Sequence, residues 1–180
     1  MFTLQDDGTL AISWEDIEVA PDSYCVVRNG EVLDEIIVSG QESGSYTYSD
    51  ISYEVVTGEY TYIVEAIAGG QIIGESDGYT LLTDDTYSVD DGTYSDLYDD
   101  LVVNSISGNG YLYLYDCHLI VKGDVNCGGI IVDDGSSFVC HGNAVIGYFY
   151  ANYDTDNHIM IYGDLLITDY SSLGLLNHLI

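Results

Sequence analysis

The sequence predicts an all-β chain in two segments. Residues 1–83 read as an antiparallel sandwich, and residues 84–180 as a short β-solenoid. Two observations carry this. Short strands with alternating polarity recur through the N-terminal segment, separated by tight-turn dipeptides. In the C-terminal segment a single stretch returns: Leu119–Val125 (L-I-V-K-G-D-V) comes back as Phe138–Ala144 (F-V-C-H-G-N-A) and as Ile159–Leu165 (I-M-I-Y-G-D-L). A looser copy stands at Leu101–Ser107, so the copies are 18, 19 and 21 residues apart. Self-similarity at this period marks stacked coils, each burying its face against its neighbours.

The N-terminal elements follow in order. A D-D-G turn at Asp6–Gly8 precedes a strand over Thr9–Trp14 (T-L-A-I-S-W). Ser23–Arg28 (S-Y-C-V-V-R) runs into Asn29-Gly30, a dipeptide that suits a two-residue hairpin because both of its positions accept φ > 0. Glu31–Val38 is the expected partner strand. Ser45–Ser49 and Gly58–Ala68 (G-E-Y-T-Y-I-V-E-A-I-A) are further strands, and Gly69-Gly70 turns into a last one over Gln71–Leu82.

These residues resemble a fibronectin type III domain. The likeness rests on the I-S-W of the second strand, Tyr24 within S-Y-C-V-V-R-N-G, and G-E-Y-T-Y-I-V-E-A before the last turn. It implies that Trp14 is a core anchor and that Tyr60 and Tyr62 include a corner tyrosine. It also implies a spacer or binding module, although a fold of this kind assigns no chemistry by itself.

Residues 84–100 are crowded with aspartate and form the expected boundary. The V-D-D-G at Val89 recurs at Val132, which reads as a degenerate first rung. Asp84, Asp85, Asp90, Asp91, Asp133 and Asp134 are the candidate metal ligands. Calcium is the cation such loop carboxylates would take, though no EF-hand ladder is present.

Beyond Leu101 each rung reads as two halves, the second ones opening at Gly110, Gly129 and Gly147. Glycine at these corners suits a tight bend or a positive φ. Alternate tyrosines share one side of a strand. Tyr111, Tyr113 and Tyr115, with Tyr148, Tyr150 and Tyr153, are therefore candidates for a ligand-stacking row. Lys122, His141 and Tyr162 occupy one column and are expected to point outward. The four cysteines, Cys25, Cys117, Cys127 and Cys140, are expected to be buried thiols; a single bridge would join Cys117 to Cys140. Leu173–Ile180 is an apolar tail that would cap the coil.

This segment resembles the glycine-punctuated repeats of autotransporter-type adhesin passengers and, less closely, bactofilins, whose corners carry G-D or G-N pairs like Gly123-Asp124 and Gly142-Asn143. The first likeness implies adhesion to a host or matrix protein or a glycan. The second implies end-to-end self-association into filaments.

Composition narrows the function classes. Acidic residues number 31 and basic ones two, Arg28 and Lys122, for a net charge of −29. Nucleic-acid binding, which needs several cations to displace counterions, is excluded on that ground. No apolar run is long enough to span a membrane as a helix, and the first twenty residues lack a basic leader pattern. No G-x-S-x-G elbow, phosphate loop or H-E-x-x-H motif occurs. A non-enzymatic cell-surface or secreted module is the expectation, with a cytoplasmic location and a glycan-active β-helix enzyme as alternatives.

Overall fold

The computed structural model describes residues 1–38, 44–152 and 156–169. All regular structure among them is β. The chain divides into two compact units: Met1–Tyr53 with Glu59–Leu81, and Glu54–Gly58 with Leu82–Ile180.

In the first unit, β1 (Phe2–Leu4), β2 (Leu10–Glu15) and β5 (Ser45–Asp50) make a three-stranded antiparallel sheet in the order β1-β2-β5. A second antiparallel group, in the order β4-β3-β6-β7, holds β3 (Ser23–Arg28), β4 (Glu31–Ile37), β6 (Gly58–Ala68) and β7 (Gln71–Glu75). The turns follow the sequence. Asn29 and Gly30 have φ of +50° and +80°, and Gly69 and Gly70 have +57° and +74°. One strand is not evident in the sequence pattern: Phe2–Leu4 closes a hairpin with β2 through the D-D-G turn, pairing Phe2 with Ile12. The expected strand over Gln71–Leu82 is two elements, β7 and β8 (Tyr79–Val89), parted by residues 76–78. Trp14 is half-buried and packs on Tyr24 and Tyr46, ring centroids 5.7 and 5.8 Å away, so aromatic contacts link the two sheets.

The second unit is a stacked parallel coil over about residues 82–167. Its remaining strands are β9 (Tyr94–Leu97), β10 (Leu101–Gly108), β11 (Tyr111–Tyr115), β12 (His118–Val121), β13 (Val125–Asp133), β14 (Ser137–Cys140), β15 (Ala144–Ala151), β16 (His158–Ile161) and β17 (Leu165–Ile167). They pair as three parallel ladders, where the sequence suggested two halves per rung. The first sets Leu82, Leu101, Leu119, Phe138 and Ile159 side by side, so the repeated stretch does lie in register at its spacings of 18, 19 and 21. The second aligns Tyr87, Ile106, Val125, Ala144 and Leu165. The third aligns Tyr94, Tyr111, Gly129 and Tyr148.

Alternate residues of every ladder point inward and make one core, including Leu112, Leu114, Leu119, Ile130, Phe138 and Ile146, each fully buried. Burying a side chain of this size stabilises by roughly 1.5–3 kcal/mol. On the first ladder the intervening Val102, Ile120 and Val139 are buried as well. This explains why L-I-V and F-V-C read as unbroken apolar runs, as strands covered on both faces do.

The corner glycines serve by closeness of approach, and φ is not the reason at Gly123, Gly142 or Gly163. A Cβ on Gly142 would lie 2.5 Å from the Gly123 carbonyl oxygen and 2.4 Å from Asp124 Oδ1; one on Gly163 would lie 2.4 Å from the Gly142 carbonyl oxygen. Beside this column runs a side-chain ladder. The Asn143 amide donates to Asp124 Oδ1 at 2.7 Å, and the Asp164 amide to Asn143 Oδ1 at 3.0 Å. Positive φ occurs at the other corners, at Gly92 and Gly108 after the second ladder and at Asp116, Asp134 and Gly135 after the third. The repeat departs from its sequence reading in two places. Gly128, not Gly129, lies level with Gly110 and Gly147; its Cβ would stand 2.1 Å from the Asn109 carbonyl oxygen. Val89 lies on the second ladder and Val132 on the third, so the two V-D-D-G strings are not equivalent. The apolar tail Leu173–Ile180 lies outside the described residues.

Replacing Gly142 with alanine is expected to lower stability by about 1–3 kcal/mol, because the Gly123 backbone carbonyl, and not only the Asp124 side-chain tip, would have to give way. Gly135→Ala, which has open space but φ of +77°, should cost about 1 kcal/mol. Urea unfolding read by thiol exposure orders the two variants; a Gly142→Ala variant as stable as wild type contradicts the stacked corner.

Candidate functional site

Outward positions of the third ladder form a grid of aromatic and acidic side chains. Its first row, on and just after β9, presents Tyr94, Asp96 and Tyr98. Its second, on β11, presents Tyr111, Tyr113 and Tyr115. The third, on β13, presents Gly129, Ile131 and Asp133, and the fourth Tyr148 and Tyr150 on β15. The residues between them, such as Leu112, Leu114, Ile130 and Val132, are core. Alternation in a strand therefore puts every one of these tyrosines on one side.

The rings pack on each other. Tyr94 stacks on Tyr111 with centroids 5.2 Å apart, Tyr98 on Tyr115 at 5.3 Å, and Tyr113 on Tyr115 at 6.0 Å. Tyr111 also lies over Gly129, where a Cβ would come within 2.3 Å of its ring. Ile131 is level with Tyr113 and Tyr150 and is only 6% exposed although it points outward. Tyr94 and Tyr98 are each 65% exposed. Stacked, half-immobilised rings with free faces lose little entropy on binding a flat or planar group. The Tyr115 hydroxyl is pushed above its ordinary pKa, first by loss of solvation and then by the charges of Asp96 and the neighbouring acids. Asp133 is fixed in place, its Oδ1 accepting from the Asp134 amide and from Asn152 Nδ2 at 2.8 Å.

Tyr111, Tyr113, Tyr115, Tyr148 and Tyr150 are thus brought onto one face; Tyr153 lies outside the described residues. Sequence reasoning missed Tyr94 and Tyr98, the most exposed of the set. Their signal was the period-two T-Y-S-D-L-Y inside the acidic junction, which reads as a strand once its aspartates are set aside.

The candidate metal ligands are not gathered in this way. Asp84 accepts from Thr57 Oγ1 at 2.6 Å and Asp85 from Asn104 Nδ2 at 2.9 Å. Asp90 and Asp91 lie in the exposed turn before Thr93, and Asp133 and Asp134 at another corner. Among the described residues no three acidic, histidine or cysteine side chains stand close enough to share a metal ion.

His141 stacks flat on Tyr162, centroids 4.8 Å apart, so two members of the Lys122 column do form an aromatic stack. His118 Nδ1 is 3.0 Å from Asp100 Oδ1. All four cysteines are buried free thiols. Cys117 and Cys140 do not bridge: Cys117 Sγ faces the Leu97 carbonyl at 3.3 Å, while Cys140 is level with Val121 and its Sγ faces the Gly123 carbonyl. Burial pushes Cys117 up to about 11 and Cys127 up to about 12, so neither is an activated nucleophile.

In the first unit the sequence concealed a partly buried charge pair. Arg28 Nη1 donates to Asp50 Oδ2 at 2.7 Å, and the Tyr62 hydroxyl donates to the same oxygen at 2.8 Å. Ser52 donates to Asp50 Oδ1 through its amide and its hydroxyl. Burial alone would raise the Asp50 carboxyl, but these donors and the Arg28 charge together hold it below the usual range. The guanidinium also lies 5.3 Å from the Tyr60 ring centroid.

No family model matches this chain, and no curated protein or solved structure matches it.

These environments have measurable consequences. Asp50→Asn should destabilise the first unit by about 1–3 kcal/mol by leaving the partly buried Arg28 guanidinium without its counter-charge. Since Asp50 is depressed in the folded state, its contribution is present above the unfolded-chain value near about 4 and is lost as pH falls through the folded value. Melts of wild type and variant, followed by Trp14 fluorescence, should therefore converge in acid; a constant gap at every pH contradicts the pairing. In the native protein at pH 8 none of the four thiols should react with Ellman's reagent, and all four should in denaturant. Rapid native labelling of any of them contradicts its burial.

Proposed function

We propose that this protein is a non-enzymatic adhesion module of a bacterial surface or secreted protein, in which a fibronectin type III-like sandwich carries a β-solenoid whose tyrosine face meets the ligand. The single observation behind this reading is the exposed, ring-stacked tyrosine grid of the third ladder. A surface used only for solubility would place charged or small polar side chains there, since exposed aromatic clusters mark interaction sites. The sheet orders β1-β2-β5 and β4-β3-β6-β7 support the fibronectin-like reading of the first unit. Buried, protonated thiols and dispersed carboxylates give no support to nucleophilic or metal-assisted catalysis at the described residues. Structural spacing is the role such a module plays when the face is unoccupied.

A second reading, self-assembly into filaments, is favoured by the last described rung. Among the described residues β16 pairs with β14 alone and β17 with β15 alone, and Leu166 and Tyr162 are exposed beside those edges. Unpaired strand edges template pairing with another chain. Electron microscopy at high concentration separates the readings: filaments favour assembly, and dispersed particles favour adhesion.

The adhesion reading predicts that immobilised protein retains at least one member of a panel of matrix proteins and neutral or charged glycans. Tyr94→Ser combined with Tyr98→Ser should weaken that binding about tenfold, the loss of roughly 1.4 kcal/mol of ring contact. Undiminished binding by a correctly folded double variant would take the tyrosine face out of the account.

A further inference from the structure

We infer that the tyrosine face takes a cationic partner, a protein segment presenting arginine or lysine side chains. This rests on the reading of that face as the binding surface and adds the chemistry of its occupant. Charge and geometry both point to it. Asp96 stands between Tyr94 and Tyr98 on the first row, and Asp133 lies level with Tyr115, so carboxylates are set among the rings and not only around them. Neither of the chain's two basic residues belongs to this ladder: Arg28 is engaged with Asp50 in the first unit, and Lys122 belongs to the corner between the first and second ladders.

A guanidinium fits such a surface in two ways at once. Its plane stacks on a tyrosine face while its N–H fork donates to a carboxylate beside the ring. Each half of that arrangement occurs here. Tyr94 and Tyr98, though each stacks on the next row, are largely exposed, and Asp96 is exposed between them. Within the first unit the chain makes the same combination with its own arginine, placing Arg28 against both the Tyr60 ring and the Asp50 carboxylate. A net charge of −29 draws a basic partner toward the molecule and repels an acidic one. Neutral sugars would use the rings and gain nothing from that field.

The test measures binding of fluorescein-labelled octa-arginine to the full chain by anisotropy, with neutral cellohexaose and chitohexaose as parallel probes. Charge alone attracts octa-arginine to any acidic protein, so the variants are chosen to separate rings from field. Tyr94→Ser with Tyr98→Ser leaves the charge unchanged and should weaken octa-arginine binding about tenfold. Tyr94→Phe with Tyr98→Phe keeps the rings and should retain it. Asp96→Asn should weaken binding more than Asp164→Asn, which removes the same charge at the corner between the first two ladders. Circular dichroism melts establish that each variant is folded, and Asp96→Asn, at an exposed position, serves where the serine pair is not. Equal binding by wild type and the serine variant, or equal losses for Asp96→Asn and Asp164→Asn, overturns the inference. Binding of a neutral oligosaccharide that is lost in the serine variant, with no ring-dependent octa-arginine binding, overturns it while leaving the adhesive face standing. Failure of every probe and of the wider panel removes both.

Discussion

Backbone-to-backbone closeness at the corner between the first two ladders is the constraint on which the coil depends. Parallel ladders hydrogen-bond only if successive rungs hold the strand spacing of about 4.8 Å around the whole circuit. At that corner the chain of one rung passes over a carbonyl of the rung below, and a methyl group there would overlap it. Glycine removes the obstacle, and the following Asp or Asn supplies a donor–acceptor ladder between rungs. With that corner closed, the inward side chains of all three ladders fall into columns and form a single core. The tyrosine grid is a by-product of the same register: inward and outward positions alternate, so a fixed core fixes which residues face outward.

Much of the coil was legible because its constraint is written in residue identity. Leu119, Phe138 and Ile159 could be aligned from their apolar runs and the glycines that follow them, and Leu101 from its apolar run alone; all four are neighbours in space. The second glycine column was harder. Gly128 and Gly129 are adjacent, and either satisfies the pattern; only the close approach of the Asn109 carbonyl singles out Gly128. A slip of one there exchanges inside for outside along the strand. It would have made Ile130 a surface residue, whereas it is fully buried. The acidic junction reads as a boundary and a degenerate first rung, but its aspartates hide the strand Tyr94–Leu97 within it, and with that strand went the two most exposed tyrosines of the site.

In the first unit, turn chemistry was the readable feature. Asn-Gly and Gly-Gly adopt positive φ where the sequence required it. The Arg28–Asp50–Tyr62 cluster was not readable. Asp50 closes a strand that pairs with β2, and Arg28 closes one that pairs with β4 and β6, so their meeting depends on tertiary packing and not on spacing along the chain. A solitary arginine in so acidic a chain was the available hint.

Rung length varies, and where it varies has a consequence for tolerance of new chain. Between the first and second ladders the connection is two residues in β10, Asn104 and Ser105, and three in each later rung: Lys122–Asp124, His141–Asn143 and Tyr162–Asp164. Between the third ladder and the next rung it lengthens, from Asp116–Cys117 to Asp134–Ser136 and then to residues 152–157. The bend after the third ladder thus takes up most of the variation in length. A peptide grafted after Asp133 would emerge at the margin of the tyrosine grid without disturbing the stacked glycines, making that bend the natural position for enlarging or redirecting what the molecule holds.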